Sequence, residues 1–224
     1  MKTKLISYTQ PDPAFAAEAE GIDNLQELVA YCARVSNPSN QINTQTSEKL
    51  IRYLIKHAHW SPLEMVNACI EIETTRDIAH QIVRHRSFAF QEFSQRYAEV
   101  SELSNAFVKR EARLQDTKNR QASVETDDYL LTSKWNELQD RVIHEARCAY
   151  DWAIENGIAK EQARAVLPEG CTKTRLYMNG TLRSWVHYIE LRSANGTQKE
   201  HAEIAKACAV EIAKIFPMIF ETQE

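Results

Sequence analysis

Apolar residues along the chain alternate between two periods, and the switches mark the expected elements. Lys4–Thr9 reads as a short first strand. Leu25, Leu28, Val29, Cys32 and Ala33 then fall at helical spacing, which predicts an amphipathic helix over about 23–35. Leu50, Tyr53, Leu54 and Ala58 predict a second, starting at Thr46 or Ser47. Val66, Ala68, Ile70 and Ile72 alternate with Asn67, Cys69, Glu71 and Glu73, the pattern of a strand with one polar face. Helical spacing returns from Arg76 to about Arg86. Residues 101–128 are charged and poor in aliphatics, and they predict an exposed, flexible loop or flap with at most one short strand near Ala106–Val108.

The longest helix follows, holding Leu131, Trp135, Leu138, Val142, Ala146, Ala149 and Ala153 on one face until Gly157 stops it. A short helix over Lys160–Val166 must end before Pro168, because a residue preceding proline avoids the α region. A strand over Thr174–Met178 and helices over roughly 181–193 and 198–216 complete the chain, with Pro217 closing the last. This order predicts a single α+β domain over residues 1–224, with helices packed around a small, mostly antiparallel sheet.

Composition narrows the chemistry. With 224 residues, 43% hydrophobic and 26% charged, the chain suits a soluble globular protein with a sizeable core. No apolar run reaches bilayer length, and Met1-Lys2-Thr3-Lys4 opens no signal peptide, so a cytoplasmic protein without membrane contact is expected. A net charge of −4 disfavours a surface that tracks nucleic acid. Five widely separated cysteines read as reduced, mostly buried thiols rather than a disulfide or zinc framework. Only five glycines occur, and none stands near another, which excludes the Gly-rich loops of dinucleotide-binding and P-loop folds. Any nucleotide must therefore be held by side chains.

Two clusters offer such side chains. Between Gln81 and Tyr97 lie Arg84, His85, Arg86 and Arg96, interleaved with Phe88, Phe90 and Phe93. Arginine forks bind phosphate oxygens in pairs and aromatic rings offer stacking surface. The same residues could equally solvate a helix end and fill a core. Downstream, Arg183 and His187 stand four apart on one helix, with Arg192 near its end, where a cation also stabilises the helix dipole.

Arg84-His85-Arg86, seven residues and then Ser94 match the R-H-R-x7-S signature of flavin-dependent thymidylate synthases. Further matches in order are Ala33-Arg34-Val35-Ser36, the segment from His57 through His59, Ser61 and Pro62 to Glu64, Arg164 through Leu167-Pro168, and Arg183 through His187 to Arg192 and Gln198. From about residue 25 to 215 the chain resembles that family. The resemblance implies a homotetramer with FAD bound where subunits meet, and conversion of dUMP to dTMP. Carbon would come from methylenetetrahydrofolate and electrons from NADPH. It implies FAD contacts at Ser61, Arg84, His85, Arg86, Glu92, Thr181, Arg183 and His187, and a flavin- or folate-facing role for the segment around His59. It implies dUMP contacts at Gln81, Arg84, Glu92, Ser94, Gln95, Arg96, Arg164 and Arg192, with Arg192 favouring ionisation at the uracil N3. The family often carries Asn where this chain has Thr181, and Asn179 stands two positions earlier.

Activation of the uracil C5–C6 bond has two solutions. A covalent thiolate adduct needs an exposed cysteine of lowered pKa, and Cys171 follows Glu169, which opposes a thiolate. Charge stabilisation by Arg192 needs no nucleophile and is the expected route. Ser94 has no evident base beside it, and His57-Ala58-His59 with Glu64 is too thin for a metal site. A helical nucleic-acid-binding module is the non-enzyme alternative, motivated by Arg76, Arg84, Arg86 and Arg96.

Overall fold

The computed structural model describes residues 2–19 and 21–219. Its centre is a four-stranded, wholly antiparallel sheet built from β1 (Lys2–Tyr8), β2 (Asn67–Thr75), β3 (Ala89–Glu92) and a long partner strand, Lys173–Thr181, in the order β1, β2, Lys173–Thr181, β3. Ala68, Ile70 and Ile72 of β2 and Leu176 and Met178 of its partner turn to the core, while Glu71, Glu73, Arg175 and Tyr177 line the other face. The period-2 reading of β2 therefore assigned its faces correctly. Across the polar face Arg175 Nη2 donates to Glu73 Oε1 at 2.8 Å.

The α-helices among the described residues are α1 (Pro13–Glu18), α2 (Leu25–Ala33), α3 (Ser47–Lys56), α4 (Arg76–Ile82), α5 (Tyr129–Glu155), α6 (Lys160–Ala163), α7 (Leu182–Ser193) and α8 (Lys199–Ala213). Of these α2, α3, α4, α7 and α8 share the main core with the sheet's apolar face, whereas Tyr150 and Ala153 of α5 and Ala163 of α6 form a separate small core with Val100 and Leu167. Trp185 of α7 is fully buried and its indole N–H donates to the Ala68 carbonyl at 3.0 Å, which seats α7 on β2. Burying such a ring is favourable only when its N–H finds an acceptor. A hairpin of β4 (Arg113–Gln115) and β5 (Ser123–Glu125) stands apart from the sheet, so Lys173–Thr181 is β6 in chain order.

Several expectations need correction. The helix predicted to Arg86 ends at Ile82, because 83–88 turn back to place His85 and Phe88 against α7. The strand predicted over Thr174–Met178 extends to Thr181, which then caps α7: Thr181 Oγ1 accepts from the Ser184 N–H. Strands β3, β4 and β5 and helix α1 were not expected, and 106–108 makes only an isolated bridge, Phe107 with Thr172. Within 101–128 the hairpin forms because Leu114 and Val124 face each other across it. Of the cysteines only Cys208 is buried; Cys148 is exposed and the other three are half-buried.

Candidate active site

The R-H-R segment lies in the α4–β3 turn, and three contacts fix it. Phe88 inserts beside Trp185, with ring centroids 4.9 Å apart. Ser184 Oγ donates to the Ser87 carbonyl at 3.2 Å. Arg192 Nε donates to His85 Nε2 at 2.9 Å. Since a guanidinium only donates, His85 must accept through Nε2 and carry its proton on Nδ1. Burial and then the Arg192 charge hold the His85 pKa below its ordinary value, in keeping with a neutral ring. The two family-motif segments that the sequence places over a hundred residues apart thus meet in one hydrogen bond.

Arg84 and Arg86 flank that histidine and are exposed. Among the described residues no hydrogen bond or ion pair engages either guanidinium, so both forks are open to an external anion. A second group forms where α7 faces the 60–64 turn. The Arg183 guanidinium pairs with Glu64 at 2.5 Å, and His187 packs edge-on to Trp60 at 4.6 Å. Burial, then Arg183, lowers the His187 pKa. Ser61 is exposed in the same turn.

A third group gathers Ser94, Gln95, Arg96 and Arg164. Arg96 Nε lies 3.7 Å from Glu161 Oε2, one turn from Arg164, whose Nε donates to the Glu161 carbonyl at 3.4 Å. Gln95 is buried, and its Nε2 has no hydrogen-bond acceptor. An unpaired buried amide donor is costly and suits a site awaiting a ligand oxygen. Among the described residues only the backbone N–H of Arg96 reaches Ser94 Oγ, at 3.4 Å, and no general base stands beside that hydroxyl. Glu92 is held from behind by Thr174 Oγ1 at 2.8 Å and Arg76 Nη1 at 3.4 Å.

The structure does not join these groups into one closed pocket within the chain: no described contact links Arg96 and Arg164 to His85 and Arg192. Arg34, in the Ala33-Arg34-Val35-Ser36 match, is buried and donates to Thr46 Oγ1 at 3.0 Å and to the Asn43 carbonyl, a structural role. Burial holds the Cys171 pKa above that of an ordinary thiol; the Arg110 charge works against this and Asp77 adds to it. Sequence reasoning missed Tyr188 and His201, which lie against His85, with ring centroids at 4.9 and 6.3 Å. It also missed Arg110 and Arg113, which tie 101–128 to the body. Arg110 Nη2 donates to Asp77 Oδ1 at 2.8 Å, and Arg113 pairs with Glu200. The charge of these arginines read as solvation, and nothing local marked their buried partners.

Fold and site together define a class: an α+β protein with a small antiparallel sheet, exposed arginines beside half-buried histidines, and no glycine-rich loop. Residues 20–218 match the family described as thymidylate synthase complementing protein, and the chain belongs to that family. It is 48% identical over 219 residues to a probable flavin-dependent thymidylate synthase of Paramecium bursaria Chlorella virus 1, covering 98% of this chain and 97% of the relative. To the flavin-dependent thymidylate synthase of Synechocystis it is 46% identical over 220 residues, again covering 98% and 97%. The crystal structure of a UMP/dUMP methylase from Streptomyces cacaoi, bound with 5-Br dUMP, shares the fold with a TM-score of 0.78 at 24% identity, covering 99% of this chain and 93% of that one. No helix among the described residues is long and apolar enough to cross a membrane.

Proposed function

We propose that the protein is an FAD-dependent enzyme that methylates dUMP to dTMP, with methylenetetrahydrofolate as carbon donor and NADPH as reductant. The observation that carries this reading is the Arg192–His85 hydrogen bond, which presents a fixed guanidinium beside the R-H-R turn. Arg84 and Arg86, exposed and without an ion pair among the described residues, suit the FAD pyrophosphate, and Ser61, Thr181, Arg183 and His187 would complete the cofactor contacts. Glu92 would stand between the two ligands. The Thr181 hydroxyl already caps α7, so any cofactor contact there shares that oxygen or uses the neighbouring backbone. Gln81, Ser94, Gln95, Arg96 and Arg164 would hold dUMP, the last two through its phosphate.

Bound FAD, once reduced, supplies the hydride. The chain's own part is electrostatic. Arg192 cannot lose its proton and stabilises negative charge on the uracil as N3 ionises. Neutral His85 accepts the guanidinium's Nε–H and so orients its remaining donors without competing for charge. Raised by burial, the Cys171 thiol is no nucleophile.

The division of the site residues into separate groups suits a site completed by other copies of the chain, and a homotetramer is proposed. Helix α5 offers the surface: Leu131, Trp135, Leu138 and Val142 fall on one face and each is more than a third exposed. Residues 101–128 would serve as the flap of this single domain. Arg192→Ala should lower kcat at least about a hundredfold while FAD absorbance and binding persist. Near-normal turnover in that variant would remove Arg192 from the activating role.

A further inference from the structure

From Gln81 of the candidate substrate face a partly buried chain of hydrogen bonds runs inward, and beyond Gln81 no part of the reading above uses it. Gln198 Nε2 donates to Glu200 Oε2 at 2.9 Å, and Gln81 Nε2 donates to Gln198 Oε1 at 2.8 Å. His201 Nδ1 lies 3.2 Å from Gln81 Oε1, and His201 Nε2 lies 3.2 Å from the Tyr188 hydroxyl. His201 and Tyr188 are buried, while Gln81 and Gln198 are half-exposed.

One end of the chain sets its polarity. Burial alone would raise Glu200, but hydrogen bonds from Arg113, its own backbone and Gln198, with the Arg110 charge, hold it at about 2, so it is a carboxylate. A carboxylate only accepts. Gln198 must then turn its amide nitrogen to Glu200 and its carbonyl to Gln81. Gln81 must do the same one step on, which leaves its carbonyl facing His201. That carbonyl cannot donate, so His201 carries its proton on Nδ1 and accepts the Tyr188 O–H through Nε2. Reversing any one member would set two acceptors or two donors face to face in a buried place. Burial, then the charges of Arg192 and His85, lower His201 to about 4, which keeps the ring neutral as this arrangement requires.

We propose that His201 is a positioning residue that locks Gln81 as a donor-only amide toward the substrate. The His201 N–H holds Gln81's carbonyl on the His201 side and Gln198 takes one N–H, so the donor that remains is the second N–H. The partner it selects is an acceptor oxygen of the nucleotide, and the lock is set from Glu200, the carboxylate that holds 101–128 through Arg113. The proposal rests on the dUMP reading of the site.

Two experiments test it. Ring-15N NMR of the purified protein should show His201 as the Nδ1–H tautomer, the one less populated in free histidine; an Nε2–H ring would break the chain's polarity and overturn the proposal whatever the enzyme does. With FAD bound, the dUMP dissociation constant should rise about tenfold or more in His201→Leu, with the loss falling on KM more than on kcat. His201→Asn, whose amide N–H can stand in for Nδ1–H, should recover most of it. Deoxyuridine in place of dUMP locates the oxygen: the same fold loss assigns it to base or sugar, and no loss assigns it to the phosphate. Wild-type protein that binds dUMP no more tightly than His201→Leu overturns the lock alone. Wild-type protein that binds no dUMP overturns the substrate reading and the lock with it.

Discussion

A methyl group added at Gly180 would sit 2.4 Å from Phe88 Cδ1, far inside van der Waals contact. Gly180 lies in β6 opposite Ala68, so Phe88 can reach Trp185 only because that strand position lacks a Cβ. The scarcity of glycine thus acquires a local meaning: this one allows the turn bearing Arg84, His85 and Arg86 to close. Gly180→Ala should destabilise the fold by about 1–3 kcal/mol through overpacking and weaken FAD binding; thermal unfolding and flavin titration would check both. Protonation acts at the same scale. The His201 pKa stands near 4 in the fold against 6.5 for the free group. The unfolded chain therefore binds more protons between those values, and stability falls as pH drops from about 6.5 toward 4. A shift of that size corresponds to up to about 3 kcal/mol. Glu200, depressed to about 2, adds a second loss as pH falls below about 4.5. In His201→Asn the first part of the acid limb should flatten, as urea midpoints measured from pH 7 to 4 would show, while the Glu200 part remains.

Elements whose faces are wholly apolar or polar were legible from spacing alone. The polar face of β2, the single apolar stripe of α5, the apolar spacing of α2 and the start of α3 at Thr46 or Ser47 all belong to this kind. Elements defined by distant partners were not. Strand β3 is four residues at a sheet edge, with only Phe90 and Glu92 half-turned inward, too short for a period to register. Helix α4 stops at Ile82 although Val83 would continue its pattern, because the turn after it is pulled onto α7. Family motifs supplied the candidate site residues, yet they could not show that His85 and Arg192 touch. Nor could they reveal the Gln81–His201–Tyr188 connection, since no spacing rule links residues 81, 188 and 201. The α5 stripe makes its own prediction. Leu138→Glu with Val142→Glu should shift the protein to a smaller species in sedimentation velocity, with the helix intact by circular dichroism. An unchanged sedimentation coefficient would place the oligomer contact elsewhere.

For the molecule as a whole, the proposed site would use arginine forks and neutral histidines in place of the glycine loop that most nucleotide-binding folds use. Backbone amides in such a loop are fixed by one short segment, whereas these side chains come from the α4–β3 turn, α7, the segment just after β3 and the 3-10 turn that follows α6. A site of that kind depends on how the elements meet, which is why Phe88 against Gly180 and Arg192 against His85 weigh more than any single fingerprint. The most direct measurement is product formation by the purified protein supplied with FAD, dUMP, methylenetetrahydrofolate and NADPH. We expect a yellow protein that forms dTMP as NADPH is consumed, with no product when FAD or the folate is omitted. A colourless protein that forms no dTMP, and instead binds oligonucleotides with steep salt dependence, would contradict the account.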